Sequence, residues 1–212
     1  MTDSARPVLS IVAAVYNEQE VIAAFHARTL AVVEQLGEPF ELVYVDDGST
    51  DATPALLAEL QRAHPSVRLL RLSRNFGQQA AMTAGLDYAR GKAVILIDAD
   101  LQDPPELIPQ LVARWRGGHD VVYATRERRE GESWLKRCTA HLFYRLINRL
   151  SSVAIPVDTG YYRLMDRRVV RALGRLRERN RFLKAMMSWV GFSQTAVTYV
   201  RDKRFAGTTK YR

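Results

Sequence analysis

Short runs of aliphatic and β-branched residues recur through the first 125 positions, each followed by a polar cluster and then by an amphipathic stretch. Val8 to Val15 reads as a buried strand, with a helix over about Glu18 to Gln35. Phe40 to Val45 is a second strand, and Ser49-Thr50-Asp51 offers caps for a helix reaching about Ala63. Val67 to Leu72 and Ala93 to Ile97 are further strands, separated by a helix over about Gln78 to Ala89. Pro104-Pro105-Glu106 opens the next helix, where proline's missing N–H costs little, and Asp120 to Ala124 is a fifth strand. Strands alternating with helices over short connections predict an α/β fold: a mostly parallel sheet with helices on both faces. The 212 residues suffice for one domain with a substantial core.

In such sheets ligands bind beyond the carboxyl ends of the strands. Tyr16-Asn17-Glu18 follows the first strand, Asp46-Asp47-Gly48-Ser49 the second, Arg74-Asn75 the third and Asp98-Ala99-Asp100 the fourth. Four consecutive strands thus deliver polar groups to one edge, a stronger sign of a site than any single cluster.

After about Arg126 the pattern changes. Trp134 to Leu150 carries apolar residues at helical spacing, a segment around Thr159 to Met165 could add a strand, and Asp166 to Leu176 reads as helical. Phe182 to Trp189 also reads as helical, and Gln194 to Val200 alternates like a strand. The expected division of the single domain is a half, 1–125, that carries the strand-end clusters, and a half, 126–212, with a basic tail.

Charge follows that division. Residues 1–125 hold 10 basic and 16 acidic side chains, whereas residues 163–212 hold 14 and 3, so the overall +8 resides in the C-terminal third. That end is expected to face something anionic, a phosphate ligand or a membrane surface. Nucleic acid is not expected, because the acidic strand-end clusters would repel its backbone. No run approaches the ~18 apolar residues of a membrane span, no basic leader precedes the first strand, and the lone Cys138 allows no internal disulfide. A cytoplasmic setting follows as the expectation.

Asp98 and Asp100, two residues apart at a strand end, suit a divalent metal that neutralises charge on a leaving diphosphate. Gln102 and Asp103 could supply or orient a further ligand, and Asp103 could equally cap the helix after Pro104. Asp46 and Asp47 are placed to accept bonds from a nucleoside, with Ser49 or Asp51 left to cap the helix. No glycine-rich phosphate loop is present, so dinucleotide and ATP chemistry lose support.

Val15-Tyr16-Asn17-Glu18, Val45-Asp46-Asp47-Gly48-Ser49-Thr50-Asp51, Ser73-Arg74-Asn75-Phe76-Gly77, Asp98-Ala99-Asp100-Leu101-Gln102-Asp103-Pro104-Pro105-Glu106 and Gly160-Tyr161-Tyr162-Arg163-Leu164 together resemble the family 2 glycosyltransferases. Within them the chain is similar to the branch that glycosylates polyprenyl phosphates, the dolichol-phosphate mannose synthases and undecaprenyl-phosphate glucosyltransferases. The resemblance spans nearly the whole chain. It implies a GT-A fold, a UDP- or GDP-sugar donor, Mg²⁺ or Mn²⁺, and inverting transfer to a polyprenyl phosphate at the cytoplasmic membrane face. It makes Asp98, Asp100 and Gln102 the metal group, and Tyr16, Glu18, Asp46, Asp47 and Arg74 the donor contacts. Arg126, Arg163, Arg204 and Lys210 become the phosphate contacts, a task that suits arginine's planar fork.

Two features depart from these relatives. Tyr161 stands where many bacterial members carry an acid, leaving Asp158 as the neighbouring carboxylate. Relatives of the glucosyltransferase type also continue past the basic tail into membrane helices, whereas this sequence stops at Arg212. The expectation is either a piece of a longer protein or a peripheral protein held by Trp134–Leu150 and the basic third. Transfer to a saccharide hydroxyl, or nucleotide-sugar binding without turnover, are the alternatives.

Overall fold

Every residue of β1 (Leu9–Val15) is buried, as a strand covered on both faces requires. The computed structural model describes residues 6–127, 159–176, 178 and 183–200. In chain order, β1 is followed by α1 (Ile22–Gln35), β2 (Phe40–Asp46), α2 (Thr53–Ala63), β3 (Val67–Arg71), α3 (Gln78–Tyr88) and β4 (Ala93–Asp98). A 3₁₀ turn (Pro105–Leu107) leads into α4 (Ile108–Arg116) and β5 (Val121–Arg126). Beyond residue 158 come β6 (Thr159–Asp166), α5 (Arg167–Arg175), α6 (Leu183–Trp189) and β7 (Gln194–Tyr199).

The strands form one sheet in the order β3-β2-β1-β4-β6-β5-β7. β1 pairs parallel with β2 and β4, β2 with β3, and β5 with β7. The sheet is mostly parallel, as expected, with one exception: β6 runs antiparallel between β4 and β5. It therefore begins at the edge where its parallel neighbours end, and Thr125 pairs with Thr159 there.

Side-chain alternation divides the core into two layers. Leu9, Ile11, Ala13 and Val15 face α1, α2 and α4, while Val12 and Ala14 face α3, α5 and α6. Each fully buried Ile or Leu contributes about 1.5–3 kcal/mol over exposure, so the central strands anchor everything attached to their ends. Helix starts follow local chemistry. Asp51 Oδ1 accepts the Thr53 N–H at 3.0 Å, and Asp166 caps α5 through the Arg168 N–H.

The opposite edge of the sheet is tied by Glu41, 3% exposed, which accepts the Ser10 hydroxyl and the Arg90 N–H at 2.6 Å and pairs with Arg68 at 3.1 Å. Burial opposes the Glu41 charge, but these donors outweigh it and hold its carboxyl below the usual range. That cluster lies away from the ligand edge.

Candidate functional site

The loops after β1 and β2 are hydrogen-bonded to each other. Asn17 adopts a positive φ of 53°, which asparagine tolerates better than most residues. Its Oδ1 accepts the Thr50 N–H at 2.8 Å, and its own N–H donates to Ser49 Oγ at 2.9 Å. Tyr16 and Glu18, flanking it, are partly exposed.

Asp46 and Asp47 are both fully buried. Asp46 accepts the Ser49 N–H at 2.9 Å and lies 3.3 Å from Arg71 Nε. Asp47 accepts the N–H groups of Phe76 and Gly77 at 2.8 and 2.9 Å. Both carboxylates, expected to face a nucleoside, accept backbone N–H groups that tie the loops after β2 and β3 together. Gly48, with φ +71°, sits where a Cβ would lie 2.4 Å from the Arg74 carbonyl carbon, so only glycine lets the two loops meet. Arg74 is exposed and stacks its guanidinium 4.0 Å above the half-exposed Phe76 ring.

At the end of β4 the chain turns through Asp98-Ala99-Asp100-Leu101. Ala99 and Leu101 are buried while Asp98 and Asp100 are partly exposed. Leu101 has φ +59°, a strain of about 1–3 kcal/mol for a branched residue, held by the packing of its side chain in the core. Asp98 Oδ1 accepts from Gln78 Nε2 at 2.7 Å, and Asp100 Oδ1 accepts the Gln102 N–H at 3.1 Å. Gln102 thereby shapes the turn through its backbone. Among the described residues no group of three or more His, Cys, Asp or Glu side chains gathers as a metal cage. Two hard oxygen donors that leave positions for ligand oxygens still fit Mg²⁺ or Mn²⁺, which favour carboxylate, phosphate and water.

Just past the turn, buried Asp103 accepts a short hydrogen bond from the Tyr199 hydroxyl, and Arg126 Nε donates to the same hydroxyl at 3.4 Å. Burial opposes the Arg126 charge, yet Tyr199, Asp103 and Asp98 outweigh it and raise its pKa. Gly160 leaves room for this group: a Cβ there would stand 3.4 Å from Arg126 Nη2. On the same strand Tyr162 donates its hydroxyl to the Pro104 carbonyl at 2.9 Å.

Arg163 was expected at a phosphate. It is 3% exposed, pairs across the sheet with Leu96, and donates Nη2 to the Gly160 carbonyl at 2.8 Å. Its Nε has no hydrogen-bond partner, and no carboxylate among the described residues lies within ion-pair distance. Burial pulls the guanidinium down to about 10, with Tyr161 and Tyr123 opposing. The Tyr161 hydroxyl is raised by burial and by Asp98, with Arg163 opposing, so these three groups share one local field.

Asp98, Asp100, Gln102, Arg126, Tyr161 and Arg163 therefore gather around the end of β4, with Tyr16, Glu18, Asp46, Asp47 and Arg74 around the ends of β1 to β3. Asp158, Arg204, Lys210 and the Trp134–Leu150 stretch lie outside the described residues. Sequence reasoning missed Gln78 and Tyr199. The position of Gln78 at the start of a helix beside a strand end was a usable signal, whereas Tyr199 reads as an ordinary core aromatic. No described helix is long and apolar enough to cross a membrane.

Residues 10–174 match the family described as glycosyl transferase family 2. The chain is 51% identical over 95% of its length to the uncharacterized glycosyltransferase YkcC of Bacillus subtilis, covering 62% of that protein. It is 44% identical over 96% of its length to the bactoprenol glucosyl transferase of Shigella phage SfV, covering 66%. It thus spans just under two thirds of these relatives. Among solved structures, a Pyrobaculum calidifontis mannosyltransferase in complex with GDP-Man and Mn²⁺ aligns with a TM-score of 0.60 at 21% identity, over 94% of this chain and 59% of that one. Staphylococcus aureus TarS with UDP-GlcNAc aligns at 0.58 and 16%, over 94% and 61%. These neighbours share the GT-A fold that the sheet order and the strand-end aspartates describe, and the sequence match over most of the chain makes this protein a member of glycosyl transferase family 2.

Proposed function

We propose that the chain moves a hexose, with inversion, from a UDP- or GDP-sugar to a polyprenyl phosphate at the cytoplasmic face of a membrane. The observation that carries the acceptor assignment is the 43–44% identity to bactoprenol glucosyl transferases over 96% of the chain. The turn at the end of β4 supports the donor half. Asp98 and Asp100, with Gln102 beside them, would hold Mg²⁺ or Mn²⁺, which supplies charge neutralisation at the leaving diphosphate.

The remaining work falls to this chain's own groups. Tyr16, Glu18 and Arg74, on loops that Asp46 and Asp47 hold in place, would frame the nucleoside and diphosphate. The acceptor phosphate has its second pKa near about 6, so it is mostly dianionic at neutral pH. It needs positioning and charge compensation more than a base. Tyr161 in place of an acid fits that requirement, with the buried Arg163 charge behind it and Arg126 beside the turn. Asp158, Arg204 and Lys210 would complete the acceptor side, and the basic C-terminal third would meet the anionic membrane surface.

The test is incubation with UDP- and GDP-hexoses, Mn²⁺ and a short polyprenyl phosphate, with products identified by mass. A polyprenyl-phosphate hexose from one donor is the expected product; sugar transfer only to saccharide hydroxyls overturns the acceptor assignment.

A further inference from the structure

The first turn of α3 joins the two halves of the site. Its N-terminal amides are fixed from outside, since Asp47 holds the N–H groups of Phe76 and Gly77. Immediately after them, Gln78 reaches across to β4 and donates Nε2 to Asp98 Oδ1 at 2.7 Å. The next residue, Gln79, accepts the Leu183 N–H through Oε1 at 3.3 Å and so ties the same turn to the start of α6. The turn carrying Gln78 is therefore anchored on both sides, and its amide is delivered to Asp98 from a rigid support.

We infer that Gln78 is a positioning residue for the metal site: its amide fixes the rotation of the Asp98 carboxylate about its Cβ–Cγ bond. A carboxylate can rotate about that bond, and holding one oxygen on the Gln78 amide disfavours orientations that turn its lone pairs away from a shared cation. One charge-assisted hydrogen bond selects an orientation before ligand arrives. Groups that orient metal-binding side chains in this way typically change metal affinity by about 10- to 100-fold when removed. The amide is also neutral, so it directs the carboxylate without competing for its charge as a lysine or arginine would. Since Asp47 sets the helix start, the nucleoside-side aspartate and the metal-side aspartate are coupled through three consecutive residues, Phe76, Gly77 and Gln78.

This inference rests on the proposed metal-dependent transfer. It is tested by Gln78→Met, which keeps side-chain length and removes the donor. Mn²⁺ binding is followed by loss of the free-ion paramagnetic resonance signal, with Mn²⁺ alone and again with UDP or GDP present, alongside thermal melting without metal. The expected result is Mn²⁺ binding weakened at least about 10-fold, with the metal-free melting temperature within about 2 °C of the parent. Unchanged Mn²⁺ affinity in the variant, with tight binding in the parent, overturns the positioning role alone. Absence of Mn²⁺ binding in the parent, with or without nucleotide, overturns the metal reading and this inference together.

Discussion

Tyr199, the last residue of β7, donates its hydroxyl to Asp103, the residue that closes the turn bearing the two site aspartates. The bond connects the edge strand of the sheet to a strained loop above its centre. Tyr199→Phe is expected to destabilise the fold by about 1–3 kcal/mol, because Asp103 stays buried with one donor fewer. Urea unfolding measures the loss, and a parallel fall in donor affinity would follow from loosening of the turn.

Arg163→Met separates stability from function. A buried guanidinium with no carboxylate among the described residues within ion-pair distance is an unfavourable element of the fold, and an apolar side chain of similar length removes the desolvation. The variant is expected to melt at or above the parent temperature while turnover falls at least about 100-fold. Loss of stability together with activity would mark Arg163 as a purely structural residue.

Gly48→Ala combines a backbone conformation unfavourable for alanine with a Cβ 2.4 Å from the Arg74 backbone. The left-handed conformation alone is worth about 1–3 kcal/mol, and the contact involves backbone that cannot swing aside. The melting temperature is expected to drop by several degrees, with donor affinity lost as the β2 and β3 loops separate. Calorimetry and nucleotide titration read the two effects.

Asp100→Ala is expected to abolish turnover and metal-dependent donor binding while leaving the fold intact, since its side chain is partly exposed and it accepts the local Gln102 N–H. Titration calorimetry with UDP or GDP, with and without Mn²⁺, checks this; full activity would remove the metal assignment.

Acid sensitivity is expected from His26. Its ring is buried on α1, 3.0 Å from the Tyr44 hydroxyl and tilted 50° to the His64 ring with centroids 4.7 Å apart. Burial, then the His64 charge, lowers its pKa to about 4. The unfolded chain takes up this proton below about pH 6.5 and the folded chain only near 4, so stability is full above 6.5 and falls as the pH drops between those values. The contribution is on the order of 3 kcal/mol. Melting curves from pH 7.5 to 4.5 should show the decline, and His26→Phe should flatten it.

The parallel strands were legible because short β-branched runs between polar clusters leave few alternatives, and their boundaries agree with the structure to within a residue or two. The insertion of β6 was not, because the residues from Thr159 to Asp166 predict a strand without stating its direction. Local chemistry also hid the state of the acids and cations. Asp46 and Asp47 read as ligand groups, and the backbone N–H groups of Ser49, Phe76 and Gly77 that they accept are visible only in the fold. Arg163 reads as a phosphate contact, and its burial, set by its register opposite Leu96, is visible only in the fold. A leucine in a left-handed turn, as at Leu101, goes against residue preference and is visible only once the fold holds it there.

The reversed strand β6 has a consequence for how such chains diversify. Because β5 ends and β6 begins at the same edge, with Thr125 opposite Thr159, the 32 residues between Arg126 and Thr159 leave and re-enter the sheet beside the aspartate turn. Both ends of this connection sit at one edge of the sheet, so none of the strand pairings described above constrains its length.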